Sequence, residues 1–189
     1  MNTTAPARER LADDPPIRTV VDLLAHQATR SPSDEFLRFA EGSWTFGQID
    51  EWTSRLAHRL IDEDGVRPGD RVAILLTNVI TWPVAWLSIL KAGGVAVPVN
   101  SAYQRADLEF VLRDSGATVL FTDVGHAPLV DEVRSAADDL AGLRIVNAAS
   151  SDALDRFPAT RPAVDITGAT LANLQYTSGT TGFPKACML

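Results

Sequence analysis

From Arg71 to Val146, short apolar and β-branched runs alternate with longer stretches whose apolar residues recur every three to four positions. Residues 71–77, 95–97, 118–122 and 143–146 read as strands, being short, apolar and bounded by turn residues. Between them, residues 82–92, 105–114 and 128–140 read as helices. Leu108, Val111 and Leu112 share a face of the second, and Leu129, Val133, Ala136 and Leu140 a face of the third. This alternation leaves little choice of fold. Parallel neighbours need crossover connections, and crossovers are right-handed. The expectation is an α/β fold: a largely parallel sheet with helices on both faces.

The flanking segments fit that plan. Residues 18–30 place Val20, Leu23, Leu24 and Gln27 at helical spacing, and Pro32 stops the helix. Residues 36–39 and 43–46 form a hairpin around Glu41-Gly42. Thr45 and Gln48 make a capping box for a helix that aligns Ile49, Trp52, Leu56 and Leu60 and ends at Gly65. Residues 150–170, with Pro158 and Pro162, read as loop, and residues 171–176 as a final strand. Residues 1–16 are rich in Pro, Ala, Asp and Arg, lack the apolar segment of a secretory signal, and are expected to be a disordered tail before a domain over 17–189.

Residues 72–90 form an uncharged stretch of 19, close to the ~20 that span a bilayer. Thr77, Asn78 and Pro83 interrupt it, so a buried strand followed by a buried helix is the better reading than a membrane span.

Chemistry concentrates after the final strand. From Thr177 to Gly182 every side chain is a small hydroxyl or absent, so backbone N–H groups and hydroxyls can approach a bulky anion closely. Gly179 and Gly182 permit positive φ, Pro184 stiffens the exit, and Lys185 adds a mobile point charge suited to phosphate. The composition alone also allows a plain hairpin loop. A Walker loop is excluded, because Phe183 and Pro184 separate Gly182 from Lys185, and with it a P-loop kinase. No Gly-x-Gly occurs, which excludes the dinucleotide fingerprint.

The run Leu174-x-x-Thr177-Ser178-Gly179-Thr180-Thr181-Gly182-Phe183-Pro184-Lys185 resembles the phosphate-loop signature of the AMP-forming adenylating superfamily, which includes acyl- and aryl-CoA ligases and the adenylation domains of peptide synthetases. Leu90-Lys91-Ala92-Gly93-Gly94-Val95-Ala96-Val97-Pro98-Val99-Asn100 resembles a second family block, and Trp44-Thr45-Phe46-Gly47-Gln48-Ile49 a weaker third. The likeness covers residue 18 to the end.

The resemblance implies an enzyme that activates a carboxylic acid with ATP and Mg2+ as an acyl-adenylate and passes it to coenzyme A. It assigns Thr177, Ser178, Thr180 and Thr181 as hydroxyl donors to the phosphates, Gly179 and Gly182 as shapers of the loop, and Lys185 as the electrostatic partner. Pro98-Val99-Asn100 looks more like the CoA ligases than the peptide synthetases. Family members continue well beyond the signature lysine. Their metal-holding carboxylate, ribose-binding aspartate and catalytic lysine therefore have no counterpart here, and the 189 residues alone are expected to be inactive. A non-catalytic nucleotide- or partner-binding product, or an adenylation domain that serves a carrier protein, are the alternatives.

A net charge of −7 argues against a nucleic-acid partner. The single cysteine, Cys187, suits a reducing cytoplasm and reads as a buried thiol. His26, His58 and His126 have no metal spacing and read as surface or helix-face residues. Asp62-Glu63-Asp64 and Asp138-Asp139 read as solvated helix ends, Trp82 and Trp86 as core, and Tyr103 as a side chain that could line a pocket. The segment 186–189 reads as a further strand, apolar and without later elements to cover it, which predicts self-association.

Overall fold

In the computed structural model, which describes residues 17–147, 151–177 and 184–189, helix α1 (Val20–Arg30) opens the fold behind a Thr19–Asp22 capping box. Strands β1 (Glu35–Phe39) and β2 (Gly42–Thr45) pair antiparallel. Helix α2 (Phe46–Asp62) starts on the expected cap: the Gln48 N–H donates to Thr45 Oγ1 at 3.3 Å, and the Thr45 N–H donates to Gln48 Oε1 at 2.9 Å.

Strand–helix alternation follows as expected: β3 (Arg71–Leu75), α3 (Thr81–Lys91), β4 (Val95–Pro98), α4 (Arg105–Ser115), β5 (Val119–Thr122), α5 (Ala127–Ala136) and β6 (Arg144–Asn147). The four strands form a parallel sheet in the order β4-β3-β5-β6. The chain steps from β3 to β4, then reverses past β3 to β5. With the crossover hand kept, that reversal moves the connecting helix to the other face of the sheet.

The core divides accordingly. Val72, Ile74, Phe121 and Val146 pack on one face with Ile49, Trp52, Leu56, Leu60, Val84 and Leu87 of α2 and α3. Ala73, Leu75, Leu120 and Val97 pack on the other with Leu108, Val111, Leu112, Val130 and Val133 of α4 and α5. The two-residue period along β3 and β5 is what sends neighbours to opposite layers.

After β6 the chain crosses the α2 face as a strap. Arg55 Nη1 donates to the carbonyls of Asp155 (2.8 Å) and Phe157 (2.9 Å), and His58 Nε2 lies 3.0 Å from the carbonyl of Thr160. Arg161 Nη1 reaches Asp22 Oδ1 at 2.9 Å. Val164 passes so near Gly93 (φ 76°) that a Cβ on that glycine would stand 2.8 Å from Val164 Cγ1. The strap delivers β7 (Leu174–Thr177) to the free edge of β4, where the Ala96 N–H donates to the Ala172 carbonyl at 2.9 Å and Ala96 bridges Asn173 in parallel. Strand β8 (Lys185–Met188) pairs antiparallel with β7.

Several expectations shift. The strand expected over 171–176 is regular only from Leu174; Asn173 joins by its bridge to Ala96, while Leu171 and Ala172 line a cleft against α1 and α3. Helix α5 stops at Ala136: Ala137 is extended (φ −134°, ψ 98°) and buried, and a 3-10 turn over Asp138–Leu140 replaces the rest. Cys187 is exposed, not buried, because β8 pairs along one edge with β7 and neither of its faces is covered, leaving all four of its residues exposed. The Asp64 side chain is only 8% exposed, so it is not a solvated helix end. No helix among the described residues is long and apolar enough to cross a membrane. Residues 1–16 lie outside the described residues.

Candidate functional site

Strand β7 runs parallel to β4, so its carboxyl end lies on the same edge of the molecule as the carboxyl ends of β3 to β6. In open α/β sheets that edge is where ligands bind. Thr177 is the last residue of β7 and Lys185 the first of β8. The two are direct partners in the ladder, both exposed, with Thr177 Oγ1 3.5 Å from the Lys185 carbonyl. A threonine and a lysine thus stand opposite each other at the carboxyl edge of the sheet, and Pro184 beside Lys185 is buried. Ser178, Gly179, Thr180, Thr181 and Gly182 lie outside the described residues.

Two side chains to which the sequence reading gave no part in the site hold β7 and the residue before it. Tyr176, 7% exposed, donates its hydroxyl to Asp114 Oδ2 at 2.6 Å. Burial, and then Asp114 beside it, push the phenol above its ordinary range, so it remains a donor throughout the working pH range. On the other sheet face, Trp86 Nε1 donates to Asn173 Oδ1 at 2.8 Å, so Trp86 is more than core packing. These contacts join positions 62 and 87 residues apart, and no local pattern announces them.

At the carboxyl ends of β3 and β5, Asp123 Oδ2 accepts the Thr77 N–H (2.9 Å) and hydroxyl (3.1 Å), and its Oδ1 lies 2.7 Å from His126 Nδ1. Burial alone would raise the Asp123 carboxyl; the hydrogen bonds from Thr77 and His126 outweigh it and hold it below its ordinary value. His126 is therefore a half-buried partner of Asp123. Among the described residues no group of three or more His, Cys, Asp or Glu is placed to hold a metal ion.

A cleft of about 360 Å³ opens on the same edge, lined by Leu76, Asn78, Trp82, Val99, Asn100 and Ser101. A more apolar cleft of about 340 Å³, with Trp86, Leu90, Leu171 and Leu189 in its wall, lies at the opposite end of β7 and β8. It is remote from the Thr177–Lys185 pair and takes no part in that chemistry.

Residues 24–189 match the family model described as AMP-binding enzyme. The chain is 36% identical to phosphinothricin tripeptide synthetase PhsC of Streptomyces viridochromogenes, over 95% of this chain and 16% of that one. It is 32% identical to the long-chain-fatty-acid–CoA ligase FadD13 of Mycobacterium tuberculosis, over 86% of this chain and 33% of that one. The N-terminal domain of FACL13 from Mycobacterium tuberculosis superposes with a TM-score of 0.83 at 30% identity, covering 92% of this chain and 44% of that one. The chain thus spans a third or less of the length of these two relatives.

Proposed function

Because the chain belongs to the AMP-binding enzyme family, we propose that it is the N-terminal part of an ATP-dependent, AMP-forming ligase that activates a carboxylic acid as acyl-adenylate and passes the acyl group to coenzyme A. The observation that carries this reading is the pairing of Thr177 with Lys185 at the carboxyl edge of the sheet, on either side of the hydroxyl- and glycine-rich segment.

The chemistry demands such a site. A carboxylate attacks the α-phosphorus of ATP, a P–O bond to the acid forms, and the bond to pyrophosphate breaks. Two anions must approach, and a third departs with more charge. Donors already in place offset both. The described donors are a hydroxyl and an ammonium, which suit phosphate oxygens and not a metal. Magnesium therefore enters this reading bound to the triphosphate, as Mg·ATP. Thr177 donates to the phosphates and Lys185 stabilises them electrostatically. Ser178, Thr180 and Thr181 supply the remaining hydroxyls, and Gly179 and Gly182 shape the approach. A cytoplasmic setting accompanies the reading, since ATP and coenzyme A are its co-substrates.

The test is calorimetry with Mg·ATP. Lys185→Ala is expected to weaken binding about tenfold, the loss of one charge-assisted contact. Unchanged heat in that variant would remove the reading. A second reading, transfer to a carrier protein, is favoured by the similarity to PhsC. In the complete gene product, product analysis with coenzyme A alone separates the two: acyl-CoA supports the first, and acyl-adenylate without acyl-CoA the second.

A further inference from the structure

We infer that Tyr176 and Asp114 are positioning residues for the phosphate site: their hydrogen bond sets the register of β7 and thereby the face to which Thr177 points. The inference depends on the nucleotide reading for its functional consequence.

The backbone ties β7 to the parallel sheet only at its start. The strand is four residues long and pairs along its length with β8, but among the described residues its backbone ties to the parallel sheet are the bridge of Ala96 with Asn173 and the Ala96 N–H bond to the Ala172 carbonyl. Side chains along a strand alternate in direction, so a slip of one residue would turn every one of them to the other face. Tyr176 prevents that slip. Its ring is packed among the apolar residues beneath α4, alongside Val97, Val99 and Leu112, and its hydroxyl meets Asp114 at 2.6 Å. With Tyr176 committed inward, Thr177 faces out, and Thr177 is indeed exposed opposite Lys185.

Asp114 supports this reading independently. It lies in the last turn of α4, where the helix dipole disfavours a carboxylate. Helix stability does not explain an acid there; an acceptor for Tyr176 does. From the opposite sheet face Trp86 holds Asn173, the residue just before β7. The segment 173–177 that leads into the phosphate site is therefore held by side chains of two different helices, α4 and α3.

The test uses the 189-residue chain, with Mg·ATP as the probe in calorimetry and amide hydrogen exchange as a separate readout. Tyr176→Phe keeps the ring and removes only the donor. It and Asp114→Ala are each expected to weaken Mg·ATP about fivefold, the worth of one hydrogen bond, with little change in melting temperature. Asp114→Asn keeps an acceptor and should retain wild-type affinity. The Tyr176→Phe/Asp114→Ala double variant should be no weaker than either single one, since both remove the same bond. In Tyr176→Phe, amides of β7 and β8 should exchange faster while those of β3 and β5 do not change.

Wild-type affinity and exchange in both single variants would overturn the proposal. So would additive losses that track melting temperature, the mark of general packing. The Lys185→Ala control separates this outcome from failure of the nucleotide reading. If the wild type gives no heat with Mg·ATP, or Lys185→Ala binds it as tightly as the wild type, the nucleotide reading falls, and the exchange pattern alone decides whether the pair sets the strand.

Discussion

Lys91 has no exposed surface, yet each of its three ammonium protons has an acceptor: the Asp50 carbonyl at 2.8 Å, Asp50 Oδ1 at 2.7 Å and Ser54 Oγ at 2.9 Å. Burial pushes the amine below its ordinary value, and Asp50 offsets part of that. A cation so enclosed ties α3 to α2 and is no candidate for chemistry. Asp64 is the opposite case. Its side chain is 8% exposed and its Oδ2 has no hydrogen-bond partner, with Arg59 Nε 3.5 Å away. Burial raises its carboxyl above the usual range, although Arg59 and Arg144 counter it. Between the unfolded and the folded value the native state holds the extra proton, so this group's contribution to stability is present at low pH and is lost as pH rises through the folded value. Asp64→Asn is expected to gain about 0.5–1 kcal/mol at neutral pH, and nothing below pH ~4, in urea unfolding at the two pH values. A loss at neutral pH would mean that the attraction of Arg59 and Arg144 exceeds the cost of burial.

The elements were legible where the signal is local. The Thr45–Gln48 box could be read from two residues three apart, and it is present in both directions. Thr45→Ala should cost about 1 kcal/mol by removing that acceptor, and Thr45→Ser should recover most of it. Equal stability of Thr45→Ala and the wild type would show that packing of Phe46 and Ile49 sets the start of α2 by itself. The parallel strands of the centre were legible as apolar runs, since both their faces are covered. Legibility failed where distant contacts decide. Residues 171–173 have strand composition, but Asn173 joins only through a bridge to Ala96 and regular pairing starts at Leu174. Cys187 sits in an apolar run, yet pairing along one edge leaves it in solvent. The ladder pairing of Lys185 with Thr177 was not legible in the loop motif, and the partners of Tyr176 and Trp86 were not legible either, because nothing local links them to Asp114 or Asn173.

At the scale of the whole molecule, the sheet is finished on its two faces but not along β8. Met188 is 73% and Leu189 63% exposed beside the exposed Cys187, and the outer edge of β8 has no strand partner among the described residues. Ile17, Val20 and Leu23 add exposed apolar surface near α1. Unpaired backbone next to apolar side chains is a template for pairing with a second chain, and natural edges are usually blunted by a lysine or a proline. Here the strand carries Lys185 at its start only, and the remaining three residues are uncharged. The 189-residue chain is therefore expected to self-associate as its concentration rises, in the presence of a reductant that removes any disulfide route through Cys187. Met188→Lys places a charge in the middle of the exposed apolar run and should shift the average mass toward the monomer. Light scattering over a concentration series reads both. A constant monomer mass in the wild type would show that the edge of β8 is not a pairing surface, and association that persists in Met188→Lys would move the contact to the apolar surface around α1.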